Sequence, residues 1–237
     1  MARETLNREQ IVRAAIELLD AEGIDGLSMR KLGQKLGSAA TAMYWHVGNK
    51  ENLLVLAADE VWSEVRLPDV PAVGWRTAAR ELMYAARELC DRHRWLVRVI
   101  TTYAGYSEGM AGFQERAYET FEAAGFRDAD LDWAVSTPFM FVTGLAFMSA
   151  TDAAEVKERT SADGAAQSEA DAALVAQAAA IAEKYPRLLA SMEGQAQRGQ
   201  TFSEQVDAVF AFGVETILDG LAARLAARAD AVRVVSE

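Results

Sequence analysis

Few side chains here are placed to make or break covalent bonds. The chain has two histidines, His46 and His93, and one cysteine, Cys90. Cys90 and His93 lie three apart, a spacing that can set two zinc ligands on one helix face, but no second pair completes a tetrahedral set. Asp128, Asp130 and Asp132 have the spacing that opens a calcium loop. Trp133, however, stands where the sharp turn needs glycine, and Phe139 where a bidentate glutamate is needed. They read as acids at a helix N-terminus. No Ser/His/Asp or Cys/His/Asn set forms without His46 or His93, nothing marks either as a base, and no glycine-rich phosphate loop is present. The expectation is a protein with no metal, no cofactor and no catalysis. A different chemistry is written between Gly26 and Lys50. That run holds no acid, while Arg30, Lys31, Lys35 and Lys50 are basic, which makes phosphate the natural partner.

Two short helical patterns position those cations. Ser28 is a suitable N-cap, and Met29, Leu32 and Leu36 recur on one face. Gly37 can take the left-handed conformation that ends a helix. Ser38 then caps a second helix reaching about His46, with Met43 and Val47 pointing inward. A helix, a tight glycine-containing turn and a second short helix make a helix-turn-helix.

The order LSMRKLGQKLG, six residues, then YWHVGNKENLL resembles the DNA-binding domain of the tetracycline-repressor (TetR) family of bacterial regulators, closely over Asn7 to Leu56 and near to the tetracycline repressor itself. The resemblance implies that the helix opened by Ser38 enters the major groove. Ala39, Ala40, Thr41 and Ala42 would face base edges, Tyr44 and His46 would touch phosphates, and Lys50 would reach the backbone. Arg30 would be bidentate to a guanine. Three alanines depart from the polar residues the family often uses, so specificity is expected to lean on Arg30, thymine-methyl contacts and DNA shape. Trp45 is assigned to packing inside this head.

Composition fits. The chain has 237 residues, 51% of them apolar, enough for a sizeable core. One cysteine excludes a disulfide framework and suits a reducing cytosol, and MARETLNREQ lacks the apolar core of a secretion signal. A cytoplasmic, nucleoid-associated protein is expected. Net charge is −11, unevenly divided: residues 1–50 carry seven Lys/Arg and six Asp/Glu, and the remainder 17 and 29. An acidic body behind a locally basic face would repel DNA in every orientation but one, although an ordinary acidic protein shows the same total.

The fold class is all-α. A first helix runs from Asn7 to Glu22, with capping-box spacing between Asn7 and Gln10, and Gly23 ends it. Asn49 caps a helix from Lys50 to about Arg66, burying Leu53, Leu54, Leu56 and Ala57. Pro68 and Pro71 then divide a DNA-binding domain, 1–66, from a larger domain, 74–237. Further helices span Gly74–Asp91, Arg94–Ala104, Glu108–Ala124, Asp128 to about Asp152, Ala170–Lys184 and a short one from Pro186. Ala153–Ser168 lacks an apolar stripe and reads as mobile. Gly194–Gly199 reads as a loop, and Ser203 caps a last helix to about Arg228.

Trp133–Thr151 is uncharged for nineteen residues, but Pro138, its hydroxyl residues and flanking aspartates argue against a membrane span. It reads as a helix buried all round, partly by a second subunit. The last helix is over-apolar too, and both carry a mid-helix glycine, Gly144 and Gly213. That pattern suits a symmetric four-helix interface in a homodimer, with Phe147, Val206, Val209, Phe210, Gly213, Ile217 and Leu221 at it. Two central core helices of a monomer would look alike. The resemblance implies an inducer pocket in the body, with Met83, Arg87, Trp95, Tyr103, Met110, Phe113, Trp133, Thr137, Met140, Phe141 and Gly144 as its candidates. A magnesium–tetracycline chelate is not expected, because the long helix offers Met140 and Met148 where metal-facing groups belong. A lipophilic, aromatic or polyketide-like ligand suits such a lining. The sequence thus predicts a dimeric repressor released from a palindromic operator by a small molecule. An all-helical binding or scaffold protein without specific DNA recognition is the alternative.

Overall fold

Four helices build the N-terminal part of this computed structural model, which describes residues 6–102, 107–161 and 176–235. Helix α1, Arg8–Gly26, starts with a reciprocal cap: the Gln10 amide donates to Asn7 Oδ1 at 2.8 Å and the Asn7 amide to Gln10 Oε1 at 3.1 Å. Gly23 interrupts it at φ 73°, where the sequence places its end. Helix α2, Met29–Lys35, is capped by Ser28, whose hydroxyl accepts from the Lys31 amide at 3.2 Å. The turn that follows depends on two glycines. Gly37 sits at φ +60°, and a Cβ on Gly33 would come within 2.7 Å of the Ser38 carbonyl oxygen. Helix α3, Ala40–Val47, differs from expectation at its start. Its N-cap is Ala39, with no side-chain cap, because the turn runs one residue longer and the Ser38 amide is drawn back to the Gly33 carbonyl. Helix α4, Lys50–Trp62, is capped by Asn49, which accepts from the Asn52 amide at 2.7 Å. It stops four residues short of Arg66, before Pro68, which biases the residue ahead of it away from helix. Leu56 is half-buried, whereas Ile11, Ala15, Leu32, Met43, Val47, Leu53, Leu54 and Ala57 close the core of these helices.

A single turn, α5 (Val70–Val73), leads to α6, Trp75–Arg92, which buries Ala78, Ala79, Leu82, Met83, Ala86, Leu89 and Cys90 along one stripe. Then follow α7, Trp95–Thr102, and α8, Glu108–Ala124, ended by Gly125 at φ 107°. Helix α9 spans Asp128–Ser161. It runs past Asp152, so residues 153–161, expected to be mobile, are helical. Alanine-rich sequence has high helix propensity even without a buried stripe. Residues 162–168 of that stretch, and 170–175 of the helix expected after it, lie outside the described residues.

Residues 176–182 are helical. Helix α10, Pro186–Arg198, includes Gly194 rather than breaking there, and ends at the left-handed Gly199. The last helix, α11, is Phe202–Val235. Its cap is Thr201, not Ser203: Thr201 Oγ1 accepts from the Glu204 amide at 3.2 Å while Glu204 Oε2 accepts from the Thr201 amide at 2.8 Å. No strand occurs among the described residues.

By packing, Met1–Phe147 with Gly213–Glu237 makes one unit and Met148–Phe212 a second. In the first unit α6 is tied to α11 by ion pairs, Arg80 to Glu215 at 2.7 Å and Arg76 to Asp219 at 2.6 Å. Within one chain, α9 is buried on part of its surface only. Ala134, Val142 and Ala146 are buried, but Trp133 and Phe147 are more than half exposed and Met140 is 70% exposed. Its Asp128–Ser149 segment is long and apolar enough to cross a membrane by length and composition, with a third of it buried.

Candidate nucleic-acid interface and ligand cavity

On the head, the acid-free run meets solvent through a specific set of side chains. Of the cations on α2, Lys31 pairs with Glu22 and Lys35 with Glu17 at 2.8 Å. Arg30 is exposed and has no ion pair among the described residues. Next to it α3 presents Ala39 and Thr41 as exposed and Ser38, Ala40 and Ala42 as half-buried. Tyr44 is 50% exposed, and His46 is exposed as well. Lys50 Nζ donates to the Ile24 carbonyl at 2.8 Å, which fixes the ammonium at the edge of this face with donors to spare.

Trp45 corrects an expectation. It is 91% exposed and takes no part in the core of the head. The signal was present in the spacing: Met43 and Val47, four apart, define the inner face of α3, and position 45 falls on the opposite side of a 3.6-residue period. A bare indole between Tyr44 and His46 in the chain adds an apolar and hydrogen-bonding group to the exposed side of α3.

Helices α6, α8 and α9 line a partly open cavity of about 220 Å³. Helix α6 supplies Ala79, Leu82, Met83 and Ala86. Helix α8 supplies Phe113, Gln114, Ala117, Tyr118 and Phe121, and α9 supplies Val135, Ser136, Pro138, Phe139, Met140 and Val142. No charged side chain lines it among the described residues. Its polar groups are Gln114, Tyr118 and Ser136, and the Tyr118 hydroxyl donates to Asp132 at 3.1 Å. Such a wall favours a neutral, mostly apolar molecule with one polar edge, since an ion would lose its hydration without gaining a partner.

Of the residues the sequence nominated for this pocket, Met83, Phe113 and Met140 line it. Arg87 is buried one turn beyond Met83 and is held by Asp91, Nε to Oδ2 at 2.6 Å. Trp95 lies elsewhere, its indole N–H donating to Asp20 of α1 at 2.7 Å. Met110 is half-buried at the start of α8, outside the lining. Trp133, Thr137 and Gly144 face solvent on α9. Phe141 packs towards α11, where a Cβ on Gly213 would overlap its ring. Tyr103 lies outside the described residues. Sequence reasoning passed over Leu82, Gln114, Tyr118, Phe121 and Phe139. On α8, Phe121 could have been found from Phe113 at helical spacing, whereas Gln114 and Tyr118 lie on the adjoining row, four apart from each other.

The nominated interface residues also divide. On α9, Phe147 is 53% exposed. On α11, Val209 is exposed, Val206, Gly213 and Ile217 are half-buried, and Phe210 and Leu221 are buried within the chain itself. Phe212, 75% exposed, was missed.

Cys90 and His93 do not make a chelating pair. Burial, followed by the nearby Asp91 charge, pushes the Cys90 thiol up to about 12, so it stays protonated. His93 Nδ1 is engaged 2.8 Å from Asp20. No group of three or more His, Cys, Asp or Glu gathers for a metal among the described residues.

With this geometry in view, comparison with known proteins is informative. Residues 11–57 match the family described as "Bacterial regulatory proteins, tetR family", and residues 67–225 match "Tetracyclin repressor-like, C-terminal domain". An HTH-type transcriptional regulator of Saccharopolyspora erythraea is 39% identical over 126 residues, 53% of each chain, so the match spans about half that relative's length. The HTH-type transcriptional repressor DrrR1 of Streptomyces coeruleorubidus is 30% identical over 227 residues, 95% of this chain and 81% of that one. Among solved structures, apo ActR from Streptomyces coelicolor superposes with a TM-score of 0.74 at 27% identity, covering 96% of this chain and 100% of that one. ActR has also been solved in complex with actinorhodin.

Proposed function

Because the chain belongs to the TetR family of bacterial regulators, we propose that it is a transcriptional repressor that sits on a palindromic operator as a homodimer and leaves it on binding a neutral lipophilic or aromatic molecule. Residues 1–66 form the DNA-binding domain and 74–237 the ligand-binding and dimerisation domain. Support comes from DrrR1, a repressor by name, and from ActR, which holds actinorhodin in its solved complex.

What carries the proposal is the acid-free run from Gly26 to Lys50, which exposes Arg30, Tyr44, Trp45 and His46 on the two helices of the helix-turn-helix. Arg30, unpaired, is free to read a guanine edge, whereas Lys31 and Lys35 are already neutralised by α1. Tyr44, His46 and Lys50 are suited to phosphates, and Ser38, Ala39, Ala40, Thr41 and Ala42 lie where base edges would pass. Two such heads match one face of a duplex when spaced about 34–36 Å apart. The exposed apolar stripe of α9, including Met140 and Phe147, and the exposed Val209 and Phe212 of α11 are suited to cover by a second copy.

The uncharged cavity argues against a metal–drug chelate, whose cation would need carboxylate or imidazole ligands. Moving the protein from 1% to 99% released takes about 5.5 kcal/mol of differential binding, which a ligand supplies only by binding the released form that much more tightly. The test is a gel-shift titration with duplexes enriched from random sequence. Binding should select a palindrome and weaken steeply with salt. Uniform binding to any duplex would sink the proposal.

A further inference from the structure

His93 stands at the junction of α6 and α7 and is 4% exposed. Its two ring nitrogens face carboxylates from different parts of the chain. Nδ1 lies 2.8 Å from Asp20 Oδ1, on α1. Nε2 is buried, makes no hydrogen bond among the described residues, and lies 3.6 Å from Glu64 Oε2, just past the end of α4. A neutral imidazole carries one N–H and one lone pair, so either tautomer turns a lone pair towards a carboxylate. Only the imidazolium offers a donor to both. Glu64 is exposed, so a proton reaches the ring from solvent without opening the core.

Charge around the ring favours the same form. The Glu64 carboxylate also accepts from Arg92 Nη1 at 2.7 Å, and Arg92 lies 3.6 Å from Glu88. Asp20, Glu64 and Glu88 outnumber Arg92, so a proton on His93 lowers an excess of negative charge. The other charged groups of the packed elements are engaged elsewhere or meet solvent. Asp25 of α1 pairs with Arg98 of α7 at 3.1 Å, and Asp91 with Arg87 at 2.6 Å. Glu17 and Glu22 of α1 hold the lysines of α2. On α4, Asp59 accepts from the Gly109 amide at 2.7 Å. Glu60 and Arg94 are exposed. The Cys90 thiol, pushed up to about 12 by burial, carries no charge.

We propose that His93 is a positioning residue whose proton clamps the head to the body, so that the chain selects a palindrome more strongly in mildly acidic than in mildly alkaline solution. This rests on the function proposed above. With the ring charged, α1, the segment after α4 and the α6–α7 junction are tied at one point. With it neutral, one of those ties becomes a lone pair against a carboxylate, and the head is held less firmly. Holding two heads at operator spacing in advance lowers the ordering cost of binding a palindrome. A scrambled duplex makes no use of that spacing. His46, the only other histidine, acts through phosphates, which both duplexes carry, so its titration cancels in the ratio of the two affinities.

The experiment measures the affinity of the full chain for an enriched palindrome and for its scrambled counterpart at about pH 5.5 and about pH 8, the range across which imidazoles change charge. In the native chain the palindrome-to-scrambled ratio should be at least about fivefold higher at the lower pH. His93→Gln, whose amide keeps a donor for Asp20 but takes up no proton, should show one ratio at both. Glu64→Gln changes an exposed side chain, gives Nε2 an amide in place of a charge, and should shrink the pH response to about twofold or less. It decides the matter even where His93→Gln fails to fold. A native-size pH response in either variant, or a high ratio in the native chain that is flat with pH, overturns the clamp alone. A ratio of about one at both pH values in the native chain overturns the sequence-selective function itself, and the clamp with it.

Discussion

His93 and Trp95 share one acceptor: His93 Nδ1 lies 2.8 Å from Asp20 Oδ1, and the Trp95 indole N–H donates to the same oxygen at 2.7 Å. Asp20 belongs to α1, whereas the two rings flank the junction of α6 and α7. Two part-buried hydrogen bonds thereby fasten α1 to the α6–α7 junction. Replacing Asp20 by alanine leaves the buried Trp95 donor unpaired, a loss of about 1–3 kcal/mol. Urea unfolding of Asp20→Ala should show a lowered midpoint, and an unchanged midpoint would show that the junction is not held this way.

Trp45 offers a cleaner separation of stability from binding. At 91% exposure it contributes little to the core, so Trp45→Ala should leave the unfolding midpoint within about 0.5 kcal/mol of native. Operator affinity should drop by about 1–2 kcal/mol, as for a bare aromatic anchor at an interface centre. Thermal denaturation beside a fluorescence-anisotropy titration checks both at once.

Arg30 is expected to act on specificity and the paired lysines on overall affinity. Arg30→Ala should relax preference at one base pair by about 1–3 kcal/mol. Lys31→Ala or Lys35→Ala should weaken all sequences alike and only slightly, because Glu22 and Glu17 already neutralise those ammonium groups. Binding to a panel of single-base operator variants distinguishes the two patterns.

The Arg80 hydrogen bond, helped by Arg76, holds the Glu215 carboxylate below its ordinary value of 4.5. Its ionised form is favoured in the folded state, so its contribution is present above the ordinary value and is lost as pH falls through the lowered one. Melting temperatures of native protein and Glu215→Gln should differ at pH 7 and converge on acidification below 4.5. A gap that persists at low pH would show that the ion pairs between α6 and α11 are not its source.

Where local chemistry decides, the sequence was legible. Asn7 with Gln10, Ser28, Gly37 and Asn49 each act within a few residues, and each stands where its type and spacing put it. Ser38 and Ser203 were plausible caps that lost to neighbours one or two residues earlier or later, since capping depends on where the backbone leaves the helix. The cavity was less legible, for a different reason. Helix α9 is apolar around much of its circumference, so periodicity cannot say which stripe turns inward: Pro138 and Phe139 face the cavity while Thr137 and Trp133 face out. That choice is made by packing against α6 and α8, which the periodicity of α9 does not report. Trp95 and Arg87 look like pocket residues by type, but Asp20 and Asp91 engage them.

Sequence-selective seating of two chains on one symmetric duplex is the central claim. Analytical ultracentrifugation of the chain with an enriched palindrome and with its scrambled counterpart, at physiological salt, measures it most directly. Two chains per palindrome and an affinity at least about a thousandfold above that for the scrambled duplex are predicted. One chain per duplex, or equal affinity for both, would contradict it.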